Sequence, residues 1–211
     1  MRELPALFKG QMVRGLLDDS KGVTRRVMGP PPVLEERFWR FGGAGWPDRI
    51  TSVTPVAGHT LAEACPYGRP GDRLWVREAW AADAQLDSIA PRDLSQGEPI
   101  FYPADGVVRQ AGCAMINRGR LRPSIHMPRW VSRILLEVTA VRVERLQDIT
   151  EAQAIAEGIL RDGEGWRGYE GGPWLACPIA AFRSLWEHIN GAGSWDANPW
   201  VWVVEFRRVT P

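Results

Sequence analysis

Apolar residues recur at helical spacing in Met12 with Leu16 and Val13 with Leu17, so residues 11–18 are predicted to form a short helix that stops at Asp19-Ser20. Val23 to Met28 is a brief β-branched run that Pro30, Pro31 and Pro32 prevent from extending, and it reads as a strand. From there to about Pro70 the periodicity is lost among Pro, Gly and scattered aromatics. That stretch is expected to be mostly loop, far longer than the usual ~4–6 residues. After the turn signal Pro70-Gly71-Asp72, residues Arg73 to Glu78 alternate polar with apolar as a half-buried strand does. Trp130 to Leu146 is again β-branched and long enough for one bent strand or two.

The period then changes. Thr150-Glu151-Ala152-Gln153 is a capping box that opens a helix, with Gly158 placed to close it. Pro178 suits the first turn of another helix, whose stripe of Ile179, Phe182, Leu185, Trp186 and Ile189 runs to a stop at Asn190-Gly191. Between these helices the glycine-laden stretch from Gly163 to Gly172, with Trp166 and Tyr169, is expected to be a mobile flap. Trp200 to Arg207 is a strongly β-forming run. No regular βαβ alternation occurs, so the expected fold is α+β, one elaborated domain over 1–211 with a small curved sheet flanked by helices. Insertions are expected at about 29–70 and 160–177.

Composition narrows the function. The 211 residues carry 26 basic and 25 acidic side chains, a net charge of +1, with 45% hydrophobic residues. A core can form, and no broad field exists to gather a polyanion, so charge favours a pocket over an extended nucleic-acid face. Eleven Trp stand against three Tyr and six Phe, a heavy use of the largest stacking ring. Only two basic residues are lysines, Lys9 and Lys21, so almost no position offers a titratable amine. Cys65, Cys113 and Cys177 are odd in number and unpaired in spacing, which fits free thiols in a reducing compartment. No window approaches the ~18 apolar residues of a membrane span, so a soluble cytoplasmic protein is expected.

Candidate chemistry centres on Ser20-Lys21-Gly22-Val23-Thr24-Arg25-Arg26, where an amine, a hydroxyl and two guanidinium groups meet at a helix-to-strand passage. A lysine serves as a base when burial or neighbouring cations lower its pKa, and a hydroxyl in reach becomes a nucleophile. By itself such a segment is more often a solvated turn than a site, and spacing alone does not decide between them. Glu157 is either an acid at the end of its helix or a surface carboxylate. Trp75, Arg77 and Glu78 offer one ring and two polar groups for a pyrimidine, or else pack inward and pair locally. His126 is either a base or phosphate contact or a structural histidine. His59 and His188 lack partner spacing for a metal, and no zinc, serine-hydrolase or phosphate-loop motif occurs.

The Lys21-x-x-Thr24-x-Arg26 register resembles the G-x-K-T-x-T-x-R signature of ASCH domains in the PUA-like group, with Ser20 and Gly22 departing from its commonest residues. Leu146 to Glu151 leading to Glu157, and Val203-Val204-Glu205-Phe206, are similar to further family segments. Cys65-Pro66-Tyr67-Gly68, Gly71 to Glu78 and Ser124 to Trp130 resemble phrases of phage- and prophage-type members. The resemblance implies a small curved β-barrel and an amidohydrolase that removes the acyl group of N(4)-acetylcytidine and related N(4)-acylcytidines. It implies Lys21 as proton acceptor, Thr24 as nucleophile and Glu157 as proton donor. Arg26, Trp75, Arg77, Glu78 and His126 are then the substrate-binding candidates, with a nucleoside as partner and neither metal nor cofactor. The alternatives are a non-catalytic module that binds RNA or a modified base, and an RNA nuclease.

Overall fold

The computed structural model describes residues 1–29, 31, 33–35, 38–41, 49–51, 65–110 and 112–209. In chain order the elements are β1 (Glu3–Leu7), α1 (Gly10–Leu17), β2 (Val23–Val27), β3 (Val33–Glu35), β4 (Phe38–Phe41), β5 (Arg49–Thr51) and β6 (Arg73–Arg77). These are followed by β7 (Ile100–Tyr102), β8 (Val107–Arg109), β9 (Leu135–Arg145), α2 (Glu151–Ala156), β10 (Leu160–Asp162), β11 (Gly165–Arg167), β12 (Trp174–Leu175), α3 (Pro178–Asn190) and β13 (Trp200–Val209). The class is α+β. Five strands form a mixed sheet in the order β1-β6-β9-β13-β2, and β1 and β2 stand at the two ends of that order.

Contacts divide the chain into two compact units, one of residues 1–19, 73–136 and 208–211, the other of residues 20–72 and 137–207. In the first, β1 pairs in parallel with β6, from Glu3 opposite Arg73 to Leu7 opposite Arg77. The amino-terminal pattern does not predict β1. Five residues with Pro5 inside are a weak strand signal, and a strand at a sheet's edge tolerates proline because one side of it needs no ladder donor. Helix α1 buries Val13 and Leu16 as its spacing predicts. The antiparallel pair β7–β8 belongs to this unit, whose core includes Trp80, Ile100, Tyr102, Met127 and Val131.

In the second unit β2 lies antiparallel to β13, with Val23 opposite Glu205 and Val27 opposite Val201. Residues 201–204 of β13 are all buried, so both of its faces are covered. One face carries Val201 and Val203 into a cluster with Val23, Leu146, Ile149, Phe182, Leu185 and Trp186. That cluster uses the predicted stripe of α3, which starts with Pro178 in its first turn and stops at Gly191 with φ +98°. The side chain of Cys177 caps α3 by accepting from the Ala180 N–H, and all three cysteines are free thiols.

Two expectations change. The stretch expected to be loop contains the antiparallel sheet β3-β4-β5; apart from residue 31, the rest of 30–64, with His59, lies outside the described residues. The stretch from Gly163 to Gly172 is no loose flap, because β10, β11 and β12 pair as an antiparallel sheet and Trp166 and Tyr169 pack against the α3 cluster. Tyr169 stacks on His188 with ring centroids 4.1 Å apart. Glycines here permit close approach: a Cβ on Gly168 would stand 2.3 Å from the Ala181 carbonyl oxygen. Among the described residues no helix is long and apolar enough to cross a membrane.

The packing at Gly168 yields a stability prediction. Gly168→Ala is expected to cost about 1–3 kcal/mol, whereas Gly29→Ala, with nothing within 4 Å of its Cβ, should unfold like the parent or later. Thermal denaturation of the two variants checks this.

Candidate active site

Strand β2 and helix α2 position the second unit's buried charges. Lys21 stands just before β2 and forms an antiparallel bridge with Glu157, the residue that ends α2. Two backbone bonds flank it, Gly22 N–H to the Ala156 carbonyl (2.9 Å) and Phe206 N–H to the Gly22 carbonyl (2.9 Å). Gly158 turns the chain with φ +91°, and a Cβ there would stand 3.3 Å from Lys21 Cβ. Glycine therefore closes α2 and makes room for the lysine.

Lys21 and Glu157 are each 3% exposed, and Arg25 is 5% exposed. The solvated-turn reading of Lys21 is therefore wrong, and so is the surface-carboxylate reading of Glu157. Lys21 Nζ donates to Glu157 Oε2 at 2.7 Å, to the Glu157 carbonyl at 2.8 Å and to the Val23 carbonyl at 2.8 Å. Only the ammonium form has the three N–H bonds that satisfy all three acceptors. Arg25 Nη1 donates to Glu157 Oε1 at 3.3 Å, and its Nη2 donates to Gln153 Oε1 at 2.9 Å and Glu144 Oε2 at 3.2 Å. Burial holds the Lys21 pKa below the usual amine range against the opposing pull of Glu157, and the Arg26 and Arg25 charges lower it further.

Thr24 is buried but makes no bond with Lys21, whose three donors all go elsewhere. Strand alternation puts Val23 and Arg25 on one face of β2 and Thr24 and Arg26 on the other. The Val23 carbonyl that holds Lys21 Nζ belongs to the peptide unit shared with Thr24. Arg26 is half-buried, with its guanidinium 5.8 Å from the Tyr67 ring centre.

The remaining candidates belong to the first unit. Trp75 lies half-buried on β6 with Arg77 at 5.3 Å and Arg129 at 5.9 Å from its ring centre. Glu78 is buried just beyond β6, and Arg133 donates to both of its oxygens at 2.9 and 3.1 Å. Arg133 also holds Asp105 at 2.7 and 3.1 Å, so Glu78 serves a local ion-pair network. Burial pushes the Glu78 carboxyl up, and Arg133 opposes that. His126 is exposed at the end of the Ser124–His126 turn.

Two half-buried members of the cluster carry no signal in the sequence that marks them as site residues. Gln153 reads in the sequence as half of a capping box, and that box is present, with Gln153 Oε1 accepting from the Thr150 N–H at 2.9 Å. The same oxygen also receives Arg25. Glu144 lay in an alternating strand pattern that gave no reason to single it out. No family model, curated protein or solved structure matches this chain.

The buried pair has measurable consequences. Glu157→Gln leaves both Lys21 and Arg25 without their shared anion, so it should cost about 3–5 kcal/mol. Lys21→Met leaves Glu157 with Arg25 and should cost less. Urea denaturation of both variants checks the order. Because the folded protein holds Lys21 below its ordinary 10.5, the unfolded chain binds more protons between the two values. Stability should therefore rise with pH across that window relative to Lys21→Met. A flat or falling difference would show that the pull of Glu157 on the ammonium matches or outweighs the effect of burial.

Proposed function

We propose that the protein is an amidohydrolase of the ASCH type, in a PUA-like fold, that cleaves the exocyclic amide of N(4)-acetylcytidine and related N(4)-acylcytidines. The observation that carries this reading is the buried 2.7 Å contact of Lys21 Nζ with Glu157 Oε2. Moving one proton along it turns ammonium and carboxylate into amine and carboxylic acid. Those are the base and the acid that acyl transfer from a nitrogen leaving group requires. Burial lowers the Lys21 pKa and so favours that transfer.

The amine then exchanges its bond to the Val23 carbonyl for the Thr24 hydroxyl and takes its proton as the oxygen attacks the acyl carbon. Glu157 returns a proton to the cytosine amine as the C–N bond breaks, and water releases the acyl group from Thr24. Arg26 shares the Thr24 face of β2 and stays charged at any working pH, which suits it to the developing oxyanion. The Lys21 side chain is fully covered, so substrate entry requires its cover to move.

The saturation of all three Nζ donors favours a second reading, in which the cluster is structural and the protein binds a modified base or RNA without turnover.

Purified protein should convert N(4)-acetylcytidine to cytidine, followed by the ultraviolet absorbance shift. Lys21→Ala, Thr24→Ala and Glu157→Ala should each lower turnover at least about 100-fold, and Thr24→Ser should keep part of it. Turnover that survives Lys21→Ala refutes the mechanism. Binding of labelled RNA that weakens steeply with salt, without turnover, supports the second reading.

A further inference from the structure

Arg25 is the member of the cluster that the proposed chemistry leaves without a role. Its guanidinium is wholly covered, with a side-chain exposure of 0%, and it reaches three separate groups. Nη1 holds Glu157 Oε1, while Nη2 holds Gln153 Oε1 and Glu144 Oε2. The Glu157 carboxylate therefore has one cation on each oxygen, Lys21 on Oε2 and Arg25 on Oε1. The two cations are not equivalent. Lys21 can give up a proton and become an acceptor; Arg25 is a donor only and keeps its charge.

From this asymmetry we infer that Arg25 is a positioning residue for the proton transfer. By occupying Oε1 with an obligate donor, it leaves Oε2, the oxygen facing Lys21, to carry the transferred proton. Its orientation is set in turn by Gln153, whose side-chain oxygen accepts from both Arg25 Nη2 and the Thr150 N–H at 2.9 Å. The Thr150 hydroxyl closes the box by accepting from the Gln153 N–H at 3.3 Å. The capping box that starts α2 is thus linked through one guanidinium to the carboxylate at the other end of that helix. The step balances: one proton leaves Nζ and arrives at Oε2, and charge on Arg25 is unchanged. A lysine at position 25 could meet Glu157 but lacks the planar fork that engages three groups at once.

The inference rests on the hydrolase reading for its chemical meaning, and the test separates the two. In full-length protein, ¹⁵N NMR should show slowly exchanging Arg25 Nη protons, because they are hydrogen-bonded and shielded from water. Gln153→Ala and Glu157→Gln should each speed that exchange at least about tenfold. In turnover of N(4)-acetylcytidine, Arg25→Gln should lower kcat by about 100-fold with KM little changed. It should also move the pH–rate profile upward by about 1–3 units, since a cation beside the acid is gone. Arg25→Lys should recover part of kcat, and Gln153→Ala should shift kcat and profile in the same direction by less. A folded Arg25→Gln protein with parental kcat and pH profile overturns the inference. Should Arg25→Gln fail to fold, Gln153→Ala decides, and parental kcat, profile and Nη exchange in that variant overturn it. If the parent protein turns over no acylcytidine, the hydrolase reading fails, and the Nη exchange alone then decides whether Gln153 and Glu157 hold Arg25 in place.

Discussion

A lysine ammonium with no exposed side-chain surface, 2.7 Å from a carboxylate that is itself covered, governs the second unit of this protein. Removing two such charges from water costs several kcal/mol each, and their mutual attraction offsets this only when every remaining donor and acceptor is met. The surroundings meet that demand for the pair itself, while the Nε of the neighbouring Arg25 is left without a hydrogen-bond partner. Two backbone carbonyls take the other Nζ donors, Arg25 takes the second carboxylate oxygen, and Gln153 and Glu144 hold Arg25. The Gly158 turn and the Lys21–Glu157 bridge follow from the same need for close approach. Of the cluster's charges Lys21, Arg25 and Glu157 are buried, and the half-buried Glu144 supplies the second anion while also meeting Arg142.

This arrangement also gives the arginine-rich composition a chemical sense. Of 26 basic residues only Lys9 and Lys21 are amines and the rest are guanidinium groups that keep their charge, and one of the two lysines is buried against an acid. Arg25 lies in the same cluster and cannot exchange roles with Lys21. A proton in the pair thus has a defined pair of stations, and the guanidinium beside them holds the geometry without taking part. The proposed hydrolysis and the proposed positioning role both use this division between a titratable cation and a permanent one.

Helices and their ends were legible in the sequence because their signals are local. The Thr150–Gln153 box, the Pro178 start, the Gly191 stop and the stripe of α3 each operate within a few residues, and all are found. Strands β2, β6 and β13 were legible through β-branched runs and alternation. Strand β1 was not, since five residues containing a proline become a strand only when β6 supplies the hydrogen bonds. Nor was the β10-β11-β12 sheet, whose glycines suggested mobility but in place let β11 and its neighbours approach rings and backbone closely.

At the candidate site the division is the same. Residue type and spacing singled out Lys21, Thr24 and Glu157, because an isolated lysine and a motif register can be read along one chain. Whether the amine was solvated, which oxygen it met, and that Arg25, Gln153 and Glu144 joined it could not be read there. Those facts depend on groups 119 to 136 residues apart coming within hydrogen-bond distance. Local order is encoded by neighbours in the chain; the protonation chemistry of a buried amine is set by what the fold packs around it and by the water the fold excludes.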